Sequence, residues 1–557
     1  MAVNEFEKNR MKNSEGNMKN LKKKLLAGSV ATFALSLAFG VSGCYFELPG
    51  EGGGSGDGST ETADFTYELV GDSYTIVGRG TDDAGILEFP SEYKGKPVTA
   101  IGEGAFNGDT ELGKVVIPDS IVTIGESAFY NCVNLQSVTI GDGVTVIPKK
   151  TFMNCVFLNS VELPSALVTV GESAFQKCSR LMEVDFPDTV KVIAKNAFYN
   201  CTWLETVDFS TSLETIGDQA FANCVELKAV VIPDGAPTQI GERAFTIVDD
   251  SSGDLRMKNQ RIELGNSVVS VGKEAFAVNA RVRKLVLGDN LQELDVNAFY
   301  KCTKVFTISV GKNVPRCLTD EDKTPFTGCE LVREVIDASG TLEAGTPGLG
   351  GILEGVWSVI TPDKESKISY DETSHLVYYM GGDPYTKTDG AVVISSLLSE
   401  VAGEAQDIVI PDTYLGKPVT AIAERAFYND LSVKSLDTGD NCQYIGESAF
   451  RNAYAILELK LGASVKTIAK YAFLNTNGLY TVYFNCGTNL TSVGAKSFFK
   501  KKVDSKPGEL AGVPYKNVYF KCSQAEFETV KTRILGENGE NENGDLFASG
   551  VNIHLFE

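Results

Sequence analysis

The chain has 557 residues, 43% of them hydrophobic, and a formal charge of -22 from 73 Asp and Glu against 51 Lys and Arg. Such a field repels nucleic acid and anionic membrane surfaces and disfavours a polyanionic ligand. Only His375 and His554 occur, far apart in the chain, which excludes a His-based triad, a two-His metal site or a His general base within one local unit.

The first element in chain order is an address. Lys19, Lys22, Lys23 and Lys24 precede an apolar run from Leu25 to Val41, which ends in Val41-Ser42-Gly43-Cys44. A basic region, a short hydrophobic core and small residues before a boundary make a secretory signal. The run of about 17 residues is at the lower limit for a membrane span. Its last four residues resemble the bacterial lipoprotein box, and the resemblance implies that Cys44 is lipidated and begins the mature protein. Residues 1–44 are thus read as a lipoprotein signal. Residues 45–63, with Glu-Gly-Gly-Gly-Ser-Gly-Asp-Gly-Ser-Thr at 51–60, are read as a flexible tether.

From residue 64 a fixed period takes over. Phe106, Phe129, Phe152, Phe175, Phe198 and Phe221 follow one another at intervals of 23 residues, and a constant period of that length means a solenoid. The same residue types return around each Phe: Ile124-Gly125 and Ala128 before Phe129, then Cys132, Leu135, Val138 and Ile140 after it. Leu135 to Ile140 alternates as a strand with Leu135, Val138 and Ile140 inward. Gly141-Asp142-Gly143 turns the chain, Val144 to Ile147 makes a second short extended piece, and Lys150 to Cys155 is compact enough for one helical turn. Stacking such coils predicts an α/β repeat solenoid, a parallel sheet with one short strand per coil and short helical turns opposite.

The period continues at Phe245, Phe276, Phe299 and Phe326, with insertions near Thr246 to Gln260 and Gly311 to Thr324. This places a first array at 64–336. Between 337 and 367 the period disappears and Gly, Thr, Ser and Pro mark a linker. A second array, 368–521, carries Phe427, Phe450, Phe473 and Phe498, and it opens as the first does: Gly95-Lys96-Pro97-Val98-Thr99-Ala100-Ile101 reappears from Gly416 to Ile422. The strand-like segments Phe65 to Pro90 and Ile368 to Pro411 are expected to cap the two arrays.

The Ile-Gly-x-x-Ala-Phe-x-x-Cys-x-x-Leu-x-x-Val-x-Ile-Pro pattern resembles the BspA-like leucine-rich repeats of bacterial surface proteins, from Asp64 to Leu331 and from Ile368 to Phe520. Pro148 and Thr151 depart from the usual Gly and Ala, and the unit ending at Phe276 is expanded. Residues 522–557, with Ala525-Glu526-Phe527 and Gly550-Val551-Asn552-Ile553, look like the capping segment that closes such arrays. The resemblance implies display at the cell surface and binding of host or neighbouring-cell macromolecules, without identifying the ligand.

Seven of the 12 cysteines, Cys132, Cys155, Cys178, Cys201, Cys224, Cys302 and Cys329, occupy one repeat position. Their side chains would run parallel on neighbouring coils, so a ladder of small buried thiols is expected, with disulfides or a metal as the alternative. Gly-Glu-Ser-Ala-Phe at 125–129, 171–175 and 446–450 lacks the last Gly of a nucleophile elbow and comes in three copies, so it is scaffold. Gly272-Lys273 is followed by Glu and is not a phosphate loop. No residue is assigned to catalysis, to a cofactor or to a metal.

Stacking makes a surface of the outward residue between the two core residues of each strand. The row reads Val116, Thr139, Glu162, Asp185, Asp208, Val231 and should lie on the concave face. Three successive acids about 5 Å apart repel one another, and Glu183 and Glu205 enlarge the patch. It is a candidate dock for a basic protein segment or a cation, against the alternative of a solvated acidic face. In the second array the row reads Asp437, Lys460, Tyr483, Tyr519, with Tyr480 beside Tyr483. These tyrosines suit protein or glycan contact, unless they are only β formers. The sequence therefore reads as an exported, lipid-anchored, non-catalytic, adhesin-like binding protein on the extracellular face of a bacterial cell. Its expected partners are a host or bacterial surface protein or glycan and, through the anchor, the membrane, with no nucleic acid. The alternatives are a structural or assembly component of the envelope, or a lipoprotein that captures a substrate for another enzyme or transporter.

Overall fold

The computed structural model describes residues 65–556 apart from 81–84, 248–260, 280–281, 397–404, 500–514, 537–542 and positions 321, 345, 347, 372 and 549. The signal with Cys44, the tether and most of the insertion after Thr246 lie outside the described residues.

Each coil contributes two extended segments, because its apolar alternation is interrupted by a turn. The longer, such as Ser137–Ile140, pairs in parallel register with Lys114–Ile117 on one side and Ser160–Glu162 on the other. Val138 and Ile140 are buried while Thr139 between them faces out, which is the period of two that a pleated strand imposes. The shorter segment, such as Val146–Ile147, belongs to a second parallel sheet of eight strands that ends at Arg316–Cys317. The coil thus has two strands where one was expected.

The third side is built of turns, and the helical turn expected there is absent from the coils described. In most coils two residues flanking the repeat Phe are left-handed: Ser127 has φ 56° and Asn131 61°, Lys150 57° and Asn154 65°. A left-handed residue cannot propagate a right-handed helix, and Asn accepts that conformation more readily than most. Asn side chains also join successive coils, Asn223 donating to Asn200 at 2.9 Å and Asn475 to Asn452 at 3.1 Å.

Inside, ten phenylalanine rings from Phe106 to Phe326 stack face to face with centroids 5.0–5.5 Å apart. The stack survives the expanded unit, since Phe245 and Phe276 lie 5.0 Å apart. The extra residues are therefore accommodated without opening the core. Thr151, at a position where Ala is usual, is buried and turns its hydroxyl back to the Pro148 carbonyl at 2.9 Å. Gly125 has no such latitude: a Cβ there would meet the backbone nitrogen of Glu103 at 2.2 Å.

The repeat cysteines are free thiols. Each donates to the carbonyl of the Phe one coil earlier, Cys132 to Phe106 at 3.0 Å and Cys155 to Phe129, Cys178 to Phe152 and Cys201 to Phe175 at 3.2 Å. A thiol is small enough for the interior and supplies the weak donor that the carbonyl lacks. Asn279 substitutes for it in the expanded unit, its amide reaching the Phe245 carbonyl at 3.1 Å. Burial pushes the thiols of Cys155, Cys178 and Cys201 well above their ordinary value of 9.0, so they stay protonated and unreactive at neutral pH. Half-buried Cys317 is pushed up to about 11. Under a thiol reagent at pH 8, peptide mass spectrometry should find Cys317 modified well before Cys155, Cys178 or Cys201; equal rates would refute the ladder. Because these folded-state values are raised, the associated stability is complete below about pH 9 and lost above it, so the urea midpoint should fall as pH rises from there.

The described residues from Phe65 onward form one compact unit with two principal apolar cores, Phe65 to Val356 and Leu376 to Leu546. The segment 337–367 is more than the linker expected. It adds Ser358–Ile360 to the first sheet in register with Glu334–Ile336, and it buries Leu349, Leu353 and Val356 in the first core. The last coil has an apolar edge, and these residues cover it.

The two arrays are joined through the second cap. Ala391–Ser396 is buried on both faces. Ala391 and Val393 enter the second core, while Val392 and Ile394 meet Phe306 and Leu331 of the first array. Arg333 is buried at this joint, with Nη2 3.1 Å from Glu424 and its guanidinium 4.9 Å above the Trp357 ring. Lys304 donates to Ser395 Oγ at 3.0 Å and to the Ser396 carbonyl at 2.8 Å. A helix, Gln524–Leu535, begins at a Ser523–Glu526 capping box and turns Phe527, Val530 and Ile534 into the second core.

Candidate binding face

Strand register assembles the outward rows. Val116 lies opposite Thr139, Thr139 opposite Glu162, Asp185 opposite Asp208, and Val231 opposite Glu263. Asp185 and Asp208 are thus direct neighbours, both exposed. Glu162 is one coil away, across a break in the hydrogen-bonded ladder, and it accepts a bond from Thr139 Oγ1 at 3.1 Å. Glu183 is exposed opposite Thr206. Glu205 is ion-paired with Lys228, so it serves the scaffold as well as the patch.

In the second array the row is Asp437, Lys460, Tyr483, Tyr519, extended by His554 from the last strand. The Lys460 ammonium lies 6.0 Å from the Tyr483 ring centre, Tyr483 stacks on Tyr519 at 4.5 Å, and Tyr519 stacks on His554 at 4.4 Å. Burial and nearby Glu458 push the Tyr483 phenol up. The tyrosine faces cover one another, so the row offers hydroxyl edges to solvent. Tyr480 is exposed one row away, outside this stack. A cleft of about 630 Å³ lined by Asp234, Asn266, Gln292 and Arg316 lies in the first array rather than at Tyr483 and Tyr519.

Two groups escaped the sequence reading. His554 joins the tyrosines because the tail returns as a strand in register with Asn517–Lys521, a pairing that the broken period of the tail conceals. The second is the residue before the core Leu of each coil, which reads Glu111, Asn134, Phe157, Arg180, Trp203, Glu226. There the Arg180 guanidinium lies 4.2 Å from the Phe157 ring centre and 5.7 Å from that of Trp203. Reading that column as well as the strand row would have found it.

Among the described residues no group of three or more His, Cys, Asp or Glu side chains could hold a metal ion, and no helix is long and apolar enough to cross a membrane. The arrangement offers a solvent-facing surface with one side chain per coil in each row, its hydrogen-bonded ladder interrupted on either side of the pair Glu183–Asp185 and Thr206–Asp208, and such rows suit recognition of an extended surface.

A family model described as the BspA type leucine rich repeat region (6 copies) matches residues 92–202, 145–252, 254–341 and 404–505. No curated protein matches. Among solved structures, a leucine-rich repeat protein from Bacteroides ovatus is 21% identical, covering 89% of this chain and 98% of its own, with a TM-score of 0.40. The leucine-rich repeat protein of T. pallidum is 28% identical over 35% of this chain and 87% of its own, with a TM-score of 0.30. A leucine rich cell surface protein from Faecalibacterium prausnitzii is 15% identical over 84% of this chain and 95% of its own, with a TM-score of 0.30.

Proposed function

The chain belongs to the BspA-type leucine-rich repeat family, and on that premise we propose that it is an exported, lipid-anchored, non-catalytic binding protein that presents its repeat faces to protein or glycan partners outside the cell. The observation that supports this reading is the register that gathers one outward side chain per coil into rows, acidic at Asp185 and Asp208 and aromatic from Tyr483 to His554. A face held by a stacked core changes little on binding, so little ordering entropy opposes association. The apolar run ending at Cys44 supplies the anchor in this reading, and the Gly/Ser segment after it the reach.

The test immobilises the protein and exposes it to surface extracts of host and bacterial cells. Saturable capture of a macromolecule without its chemical change is expected. Concentration-dependent self-association with no capture would favour an envelope-assembly role instead. In parallel, fatty-acid labelling in a bacterial host should mark the chain and should be abolished by Cys44→Ala; unchanged labelling would remove the anchor from the proposal.

A further inference from the structure

We infer that the cleft in the first array, at the corner between its long and short strands, binds a short stretch of a neutral oligosaccharide. The inference rests on the binding role proposed above and gives that role a further place and a ligand class.

The cleft exists because one corner of the solenoid is longer than the next. Ile232 pairs with Leu264 and Thr238 with Val268, so the chain advances six positions around this corner in one coil and four in the following one. The excess, residues 234–237, stands out as a wall. Past Thr238 the register shifts to Gln239 against Ser270, which leaves Val269 with no residue opposite it on that strand. Bulges of this kind re-aim side chains at sites. The space that results is about 630 Å³ and runs across four coils, from Asp234 to Arg316.

The polar lining is mostly amide, with Asn266, Asn290, Gln292 and Asn313 contributed by three successive coils. Two of them are fixed by the scaffold: Asn266 Oδ1 accepts the Asp289 N–H at 2.7 Å, and Asn313 Nδ2 donates to the Asp289 carbonyl at 2.6 Å. Asn290 and Gln292 are exposed, and among the described residues no hydrogen bond engages their side-chain amides. A side-chain amide sets an N–H donor beside a C=O acceptor, and two adjacent sugar hydroxyls, each both donor and acceptor, complete that pair. Coils about 4.8 Å apart repeat the offer at close to the step of one ring along an extended glycan. Exposed Pro237 and Val314 give the C–H faces of the rings an apolar contact, so the cleft combines apolar surface with a few convergent polar groups. Its two charged side chains, Asp234 and Arg316, are opposite in sign, so it selects for no ionic ligand. An extended peptide would add to an open strand edge, but Val268–Val271 is paired on both sides, with Thr238–Ile240 and with Glu293–Leu294.

The test is isothermal titration of the full chain with neutral tetrasaccharides of glucose, mannose and N-acetylglucosamine, a hyaluronan tetrasaccharide as the acidic probe, and an uncharged peptide of Gly, Asn and Ser. At least one neutral tetrasaccharide should bind, at least tenfold more tightly than its monosaccharide because several coils share it, and equally at low and high salt. Asn290→Ala with Gln292→Ala should weaken it about tenfold. Both positions are exposed, and an unchanged thermal midpoint will certify that the double variant folds. No binding of any neutral tetrasaccharide up to millimolar concentration, tighter binding of the hyaluronan or the peptide, or indifference to the double substitution would overturn the inference. If a macromolecule is still captured from surface extracts in any of those cases, the broader binding role stands without this cleft.

Discussion

Phe175→Ala is expected to destabilise the first array by about 3 to 5 kcal/mol. The ring is fully buried and lies between Phe152 at 5.3 Å and Phe198 at 5.1 Å. The cost belongs to the upper part of the range for an aromatic because the site cannot collapse. Coil spacing is set by the backbone ladders, and the next cysteine, Cys201, is tied to the Phe175 carbonyl. The two neighbouring rings would face a void and lose their stacking partner as well as their contacts. A long array need not unfold in one step, so the change is best read by hydrogen exchange at the amides of the coils around Phe152, Phe175 and Phe198, alongside urea titration. A loss below about 1 kcal/mol would mean that the ring is not in the core.

Ile394→Asp should cost roughly 3 to 5 kcal/mol, whereas Val77→Asp should cost under about 1. The two positions are equivalent in the duplicated caps. Ile76 pairs with Ile101 as Val393 pairs with Ile422, and the next residue on each strand is Val77 or Ile394. Val77 is 37% exposed, and Ile394 is completely buried against the other array. A carboxylate at Ile394 would be desolvated among the apolar side chains of the joint, whereas the same group at Val77 would remain in water. Thermal unfolding of both variants measures the difference. Equal small effects would show that the arrays do not pack through the second cap in solution.

The repeat was legible because a solenoid is a local code. A Phe that recurs every 23 residues must meet its own copies, and the outward row Thr139, Glu162, Asp185, Asp208 followed from strand alternation alone. The thiol ladder was legible for the same reason, although its hydrogen bonds to the Phe carbonyls were not. Two features of the coil itself were misjudged. The segment around Lys150 to Cys155 has a composition that fits a helical turn, but left-handed Lys150 and Asn154 make it a turn, a choice that packing against the next coil imposes on the backbone. The extended piece Val144 to Ile147 was read without a sheet of its own, and its Val146–Ile147 pair forms one because copies on neighbouring coils supply its hydrogen bonds.

By itself the sequence determined the coil, its period, its inward and outward faces and the acidic sign of the first array, since each depends on residues within one repeat or on the same position in the next. Tertiary structure alone decided how the arrays join, because Ile394 and Phe306, or Arg333 and Glu424, are brought together from distant segments that share no period. It also decided that the tyrosines stack on one another and on His554, and that Trp203 stands in water beside Arg180. Whether an aromatic ring lies buried, stacked or exposed depends on what covers it, and local residue pattern does not specify that.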